Sequence, residues 1–181
     1  MKFTETRLQG AYLIEIEPIQ DFRGFFARGF CQKEFLQQGL NFQIVQCNIT
    51  QNPKRGTLRG LHYQIAPYEE AKLVSCVQGA IYDVVIDLRP TSPTYGHWVG
   101  TQLSQEDFMM LYVPKGFAHG YQTLRDGTVV FYRVSEFYQP VSERGIRWDD
   151  PAFKITWSEK ERPILSEKDR TWADFNLSQP D

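Results

Sequence analysis

The stretch Arg55-Gly-Thr-Leu-Arg-Gly-Leu-His-Tyr-Gln64 sets Arg59 and His62 three residues apart on a strand-like segment between glycines. A half-buried guanidinium is costly unless an anion meets it, and an imidazole exchanges protons near neutral pH. Together they suit acid–base chemistry on an anionic substrate, although a lone histidine is more often structural. The histidines are His62, His97 and His119, and the residue two after His62 is Gln64. The one-residue-spaced histidine pair of metal-holding barrels is therefore missing, which points toward metal-free acid–base work, although carboxylates from elsewhere could still complete a metal site. Other reactive side chains have ordinary readings of their own. Ser166-Glu-Lys-Asp169 has the spacing of a helix capping box, Lys72 suits a strand edge, and Tyr132 in a strand reads as packing.

Short apolar or alternating segments, separated by Gly, Pro, Asn and Asp, supply the elements that must position these groups. They are Ala11 to Glu17, Phe42 to Thr50, Leu73 to Gln78, Ala80 to Leu88, Met109 to Val113 and Thr128 to Tyr138. That rhythm predicts an all-β antiparallel sandwich or barrel. Ile81, Asp83, Val85 and Asp87 alternate with Ala80, Tyr82, Val84 and Ile86, the period of a strand with one buried face. Two short helices are expected: Gln32 to Gln38, ending at Gly39, and Ser166 to Thr171. No repeat or linker-like run divides the chain, which predicts one domain over 1–181, with a charged tail from about Trp148 packing on the barrel.

The 181 residues carry a formal net charge of −2, too little positive field for a nucleic-acid partner. No apolar run approaches a membrane span and no leader-like segment opens the chain, so a soluble cytoplasmic protein is expected. Cys31, Cys47 and Cys76 match no zinc or disulfide framework and read as buried free thiols in a reducing compartment.

Eight strings, in order across nearly the whole chain, carry a resemblance. They are Asp21-Phe-Arg-Gly24, Leu58-Arg-Gly-Leu-His-Tyr-Gln64, Lys72-Leu-Val, Asp83 with Asp87-Leu-Arg, Ser92-Pro-Thr-Tyr-Gly-His-Trp98, Pro114-Lys-Gly-Phe-Ala-His-Gly120, Glu143-Arg-Gly-Ile-Arg-Trp-Asp-Asp-Pro151 and Leu165-Ser-Glu-Lys-Asp-Arg170. Together they resemble the dTDP-4-dehydrorhamnose 3,5-epimerase family. The resemblance implies a cupin-type jelly-roll β-barrel, a homodimer, and no metal or cofactor. It also implies a reaction in which protons leave C3 and then C5 of a nucleotide-linked 4-keto-6-deoxyhexose and return on the opposite face. That chemistry needs a base, an acid facing it, and a cation near the keto oxygen.

By the same resemblance, His62 is the base and Asp169 the carboxylate that orients it. Lys72 is the cation near the keto oxygen and Tyr132 the acid on the far face. Arg23, Arg59, His119 and Lys168 match contacts to phosphate or sugar. Gln46, Asn48 and Glu143 match polar substrate contacts, and Tyr138 falls where an aromatic ring stacks on the base.

The pattern breaks at two places, both expected in the ligand-binding region. Where the family reads Arg-Gly-x-Phe-x-Glu, this chain has Arg23-Gly-Phe-Phe-Ala-Arg28, and where it reads Gln-Asp-Asn-His-Ser, this chain has Gln46-Cys-Asn-Ile-Thr50. A guanidinium at Arg28 could satisfy the N3 acceptor of cytosine, as a carboxylate satisfies thymine N3–H, which opens a CDP-linked substrate beside a dTDP-linked one. Cys47 and Ile49 open the further alternative of epimerisation at C3 or C5 alone. A non-catalytic sugar-nucleotide-binding cupin is the third reading, disfavoured by the joint presence of His62, Lys72, Tyr132 and Asp169.

Overall fold

Segments rich in β-branched and aromatic residues with two-residue alternation become strands along most of the chain. The computed structural model describes residues 1–159 and 163–178. The strands are β1 (Lys2–Glu5), β2 (Tyr12–Glu15), β3 (Ile19–Asp21), β4 (Gly24–Phe26), β5 (Gln46–Asn52), β6 (Leu58–Gln64), β7 (Lys72–Gln78), β8 (Ala80–Asp87), β9 (Trp98–Ser104), β10 (Met109–Val113), β11 (Phe117–Thr123), β12 (Thr128–Val134) and β13 (Glu143–Gly145). The helices are α1 (Gln32–Gln37) and α2 (Glu167–Arg170). One sheet runs β1-β2-β10-β7-β12-β5, the facing sheet runs β13-β6-β11-β8-β9, and β3 and β4 form a separate hairpin. The pairings are antiparallel, as in a jelly-roll barrel.

Three apolar layers hold the two sheets. Between them lie Leu8, Val74, Val85, Leu111, Phe117 and Val130. On the outside of the six-stranded sheet, Phe35 of α1 and Phe42 cover Ile14, Leu73, Met110 and Tyr112. Gly39, at φ +76°, ends the helical segment in the left-handed conformation that glycine adopts readily. On the outside of the five-stranded sheet, tail residues Phe153 and Trp157 cover Leu58, Leu61, Val84, Ile86 and Ala118. Asp150, fully withdrawn from water, accepts from the backbone of Ala152 and of Phe175 and ties two parts of the tail together.

This outer layer corrects one expectation. β8 is buried on both faces, with Ile81 and Val85 in the inner layer and Val84 and Ile86 under the tail, because the tail removes from water the face that alternation assigned to solvent. The thiols also differ: Cys76 is buried, Cys31 is half-buried and Cys47 is exposed.

Candidate active site

Arg59 and His62 share a face for a local reason. Residues three apart on a regular strand point to opposite faces. In β6, however, Arg59 pairs with Tyr121 and His62 with His119, so three steps on β6 match two on β11 and one residue is extra. This bulge restores both side chains to the inner face. Gly60 makes it possible: its φ is +103°, and a Cβ there would lie 2.7 Å from the His119 carbonyl oxygen and 2.8 Å from Gly120 Cα.

His62 Nε2 donates to Asp169 Oδ1 across 2.6 Å. The carboxylate is brought there by the returning tail. Thr57 and Ile164 form a parallel bridge, Leu58 N–H donates to the Ile164 carbonyl, and Ile164 N–H donates back to Gly56. Ser166 then caps α2 by accepting from the Asp169 N–H at 3.1 Å. Serine thus caps the turn, and the Asp169 side chain meets the ring of His62. Burial alone would raise the Asp169 carboxyl, but the hydrogen bond and charge of His62, with donors at Ser166 and the Gly60 backbone, outweigh it and hold the group below its ordinary value.

Tyr132 rises from the opposing six-stranded sheet. Burial pushes its hydroxyl up, so it is a protonated donor at neutral pH. Lys72 lies on β7, an interior strand rather than an edge, and is nearly buried. Its Nζ pairs with Glu70 Oε1 at 3.0 Å and reaches across to the His62 carbonyl at 3.4 Å.

These groups line one cleft with two chambers. The chamber of about 410 Å³ is walled by Arg59, His62, Lys72, His119, Tyr132, Lys168 and Asp169. The adjoining one, about 280 Å³, shares His62, Lys72 and Tyr132 and adds Gln46, Asn48, Tyr138 and Glu143. Buried His119 pairs through Nε2 with Asp83 Oδ1 at 2.6 Å. Arg59 is exposed to the cleft rather than half-buried. At the rim, Glu143 accepts from Tyr138 at 2.5 Å and pairs with Lys168. Burial would raise the Glu143 carboxyl, but these donors hold it low.

Two expected contacts stand elsewhere. Arg23 pairs with Asp21 at the exposed tip of the β3–β4 hairpin, and Arg28 pairs with Glu34, which also holds the terminal amine of Met1. Neither lines the cleft of its own chain. The departures on β5 are corrected more sharply. Alternation sends Gln46, Asn48 and Thr50 inward and Cys47 and Ile49 outward, with Ile49 70% exposed, so neither substitution touches the cleft. Sequence reading missed Asn52, Glu70 and Tyr121. The pairing of buried Lys72 with half-buried Glu70, two residues away, is a signal that spacing could have offered.

Comparison with known proteins shows the family. The family model for dTDP-4-dehydrorhamnose 3,5-epimerase matches residues 5–176. A dTDP-4-dehydrorhamnose 3,5-epimerase of Sinorhizobium fredii is 43% identical, over 93% of this chain and 87% of its own. The crystal structure of the Bacillus anthracis dTDP-4-dehydrorhamnose 3,5-epimerase, with TDP and PPi bound, superposes with a TM-score of 0.93 at 41% identity, covering 96% of this chain and 99% of its own. The Legionella pneumophila dTDP-6-deoxy-D-glucose-3,5-epimerase, in complex with dTDP-4-keto-L-rhamnose, gives 0.91 at 36% identity, covering 99% and 94%. With the model match running almost from end to end, this chain is an isomerase that belongs to the dTDP-4-dehydrorhamnose 3,5-epimerase family of cupin-type barrels.

Proposed function

We propose that the chain acts as one domain over 1–181 to epimerise C3 and C5 of a dTDP-linked 4-keto-6-deoxyhexose through an enolate. The observation that carries this reading is His62 on one sheet, held by Asp169 of α2 and facing Tyr132 on the other sheet, with Lys72 reaching across the gap. Because Asp169 accepts a hydrogen bond from Nε2–H, the lone pair of His62 sits on Nδ1, which removes the proton next to the ketone. The C–H electrons pass to the C4 oxygen, where the Lys72 ammonium stabilises the charge. Tyr132 gives its proton to the opposite face of the carbon, and solvent then restores both side chains.

In this reading Arg59, His119 and Lys168 hold the diphosphate or sugar, Gln46, Asn48 and Glu143 supply polar contacts, and Tyr138 stacks on the base. Arg23 and Arg28 act only if the β3–β4 hairpin leans on another molecule. Its Ile19 is 71% and its Phe22 98% exposed, which supports a homodimer covering this apolar tip. A cytoplasmic setting would keep Cys31, Cys47 and Cys76 reduced.

The test is incubation with dTDP-4-keto-6-deoxyglucose in D₂O, following C3 and C5 by NMR. Exchange at both carbons, lost in His62→Ala, is expected. Exchange at one carbon would replace the reading by a single-position epimerase, and none by a binding protein.

A further inference from the structure

Arg59 reaches the cleft with one of its nitrogens already committed. Its Nε donates to Asn52 Oδ1 at 2.7 Å, and among the described residues no carboxylate lies within ion-pairing range of its guanidinium. Asn52 stands behind the cleft wall at the end of β5, with no accessible surface. Its amide nitrogen donates to the Thr128 carbonyl at 3.1 Å and to the Tyr121 hydroxyl at 3.3 Å. Tyr121 in turn pairs with the Thr50 hydroxyl at 2.7 Å.

This network leaves the Asn52 amide one orientation. Turned over, it would set its nitrogen against the Arg59 N–H and its oxygen against the Thr128 carbonyl, donor on donor and acceptor on acceptor. Aspartate could accept from Arg59, but it would face Thr128 with an unprotonated oxygen and cancel the guanidinium charge. The neutral amide fixes the side chain and leaves the positive charge for a ligand.

We propose that Asn52 is the positioning residue for Arg59, gripping Nε from behind so that the two terminal nitrogens form a preset fork for the substrate's diphosphate. The proposal deepens the reading of Arg59 as a phosphate contact and rests on it. Preorganisation of this kind lowers the ordering cost of binding.

The test is calorimetric binding of dTDP to wild type, Asn52→Ser, Asn52→Asp, Arg59→Ala and the double variant Asn52→Ser/Arg59→Ala, with steady-state kinetics alongside. Asn52→Ser shortens the side chain and loses the grip, whereas the near-isosteric Asn52→Asp preserves the packing should serine unfold the protein. Each single change at 52 should weaken dTDP about tenfold, the size expected for losing one charge-assisted hydrogen bond or its charge. KM should rise while kcat stays within about threefold, as for lost uniform binding. In the Arg59→Ala background the serine change should have no further effect.

Affinity within about twofold of wild type in both Asn52 variants would overturn the proposal, on the same scale of one hydrogen bond. So would an equal loss in the Arg59→Ala background, the mark of a general structural role. If Arg59→Ala itself binds dTDP normally, the phosphate reading of Arg59 has failed, and the proposal falls with it for a separately visible reason.

Discussion

His62 Nε2 and Asp169 Oδ1 stand 2.6 Å apart although 107 positions separate the two residues in the chain. Asp169 thereby selects the tautomer that leaves Nδ1 able to take a proton. Asp169→Asn would offer an amide in place of the carboxylate, and turnover should fall roughly 10²–10⁴-fold, the range for disabling a general base. The deuterium exchange rate at C3 measures it, and turnover near wild type would remove Asp169 from the mechanism.

The same pair makes stability depend on pH. The folded Asp169 carboxyl lies below its ordinary value of 3.8, so its contribution is complete above that value and is lost as pH falls through the lower folded one. Melting temperatures between about pH 3 and pH 7 should drop less steeply in Asp169→Asn than in wild type, with the difference confined below about pH 4. Parallel curves would mean the carboxylate gains nothing from folding.

Tyr132→Phe should separate the two halves of the reaction. His62 can still remove and return a proton on its own face, so substrate recovered from D₂O should carry deuterium with its configuration unchanged. Inverted product at the wild-type rate would show that another group is the acid.

Gly60→Ala should damage stability and activity together. The added methyl meets the His119 carbonyl at 2.7 Å, at a φ of +103° that L side chains rarely adopt, and a strained site of this kind costs about 1–3 kcal/mol before any clash. Urea unfolding reads the loss, and an unchanged midpoint would mean the bulge accepts a side chain.

Nucleotide preference tests the two sequence departures. With Arg28 tied to Glu34 and Ile49 facing outward, dTDP should bind more tightly than CDP, and Ile49→His should leave kcat within about twofold, as for a surface change away from the site. A preference for CDP that Arg28→Glu reverses would restore the cytosine reading.

Strands whose inner faces are apolar were legible in the sequence. Met109 to Val113 coincides with β10, and Leu73 to Gln78 and Ala80 to Leu88 differ from β7 and β8 by one residue at one end. β11 left no such trace, because its inner face presents His119 and Tyr121 to a polar cleft where hydropathy does not alternate. The glycine-flanked segment drew attention to Arg59 and His62, yet their shared face depends on an extra residue in β6 that only pairing with β11 reveals. Asn52 escaped notice because its role arises from side chains met in space. Arg23, which keeps a family string, and Arg28, which breaks one, illustrate the converse, since neither lines the cleft of its own chain.

The tail that covers the five-stranded sheet also delivers Lys168 and Asp169 to the wall of the cleft. β6, β11 and β12, which carry His62, His119 and Tyr132, all precede it in the chain. Until α2 docks, His62 lacks its carboxylate and the chamber lacks one side. A single docking event therefore both seals the outer face of the barrel and finishes the cleft.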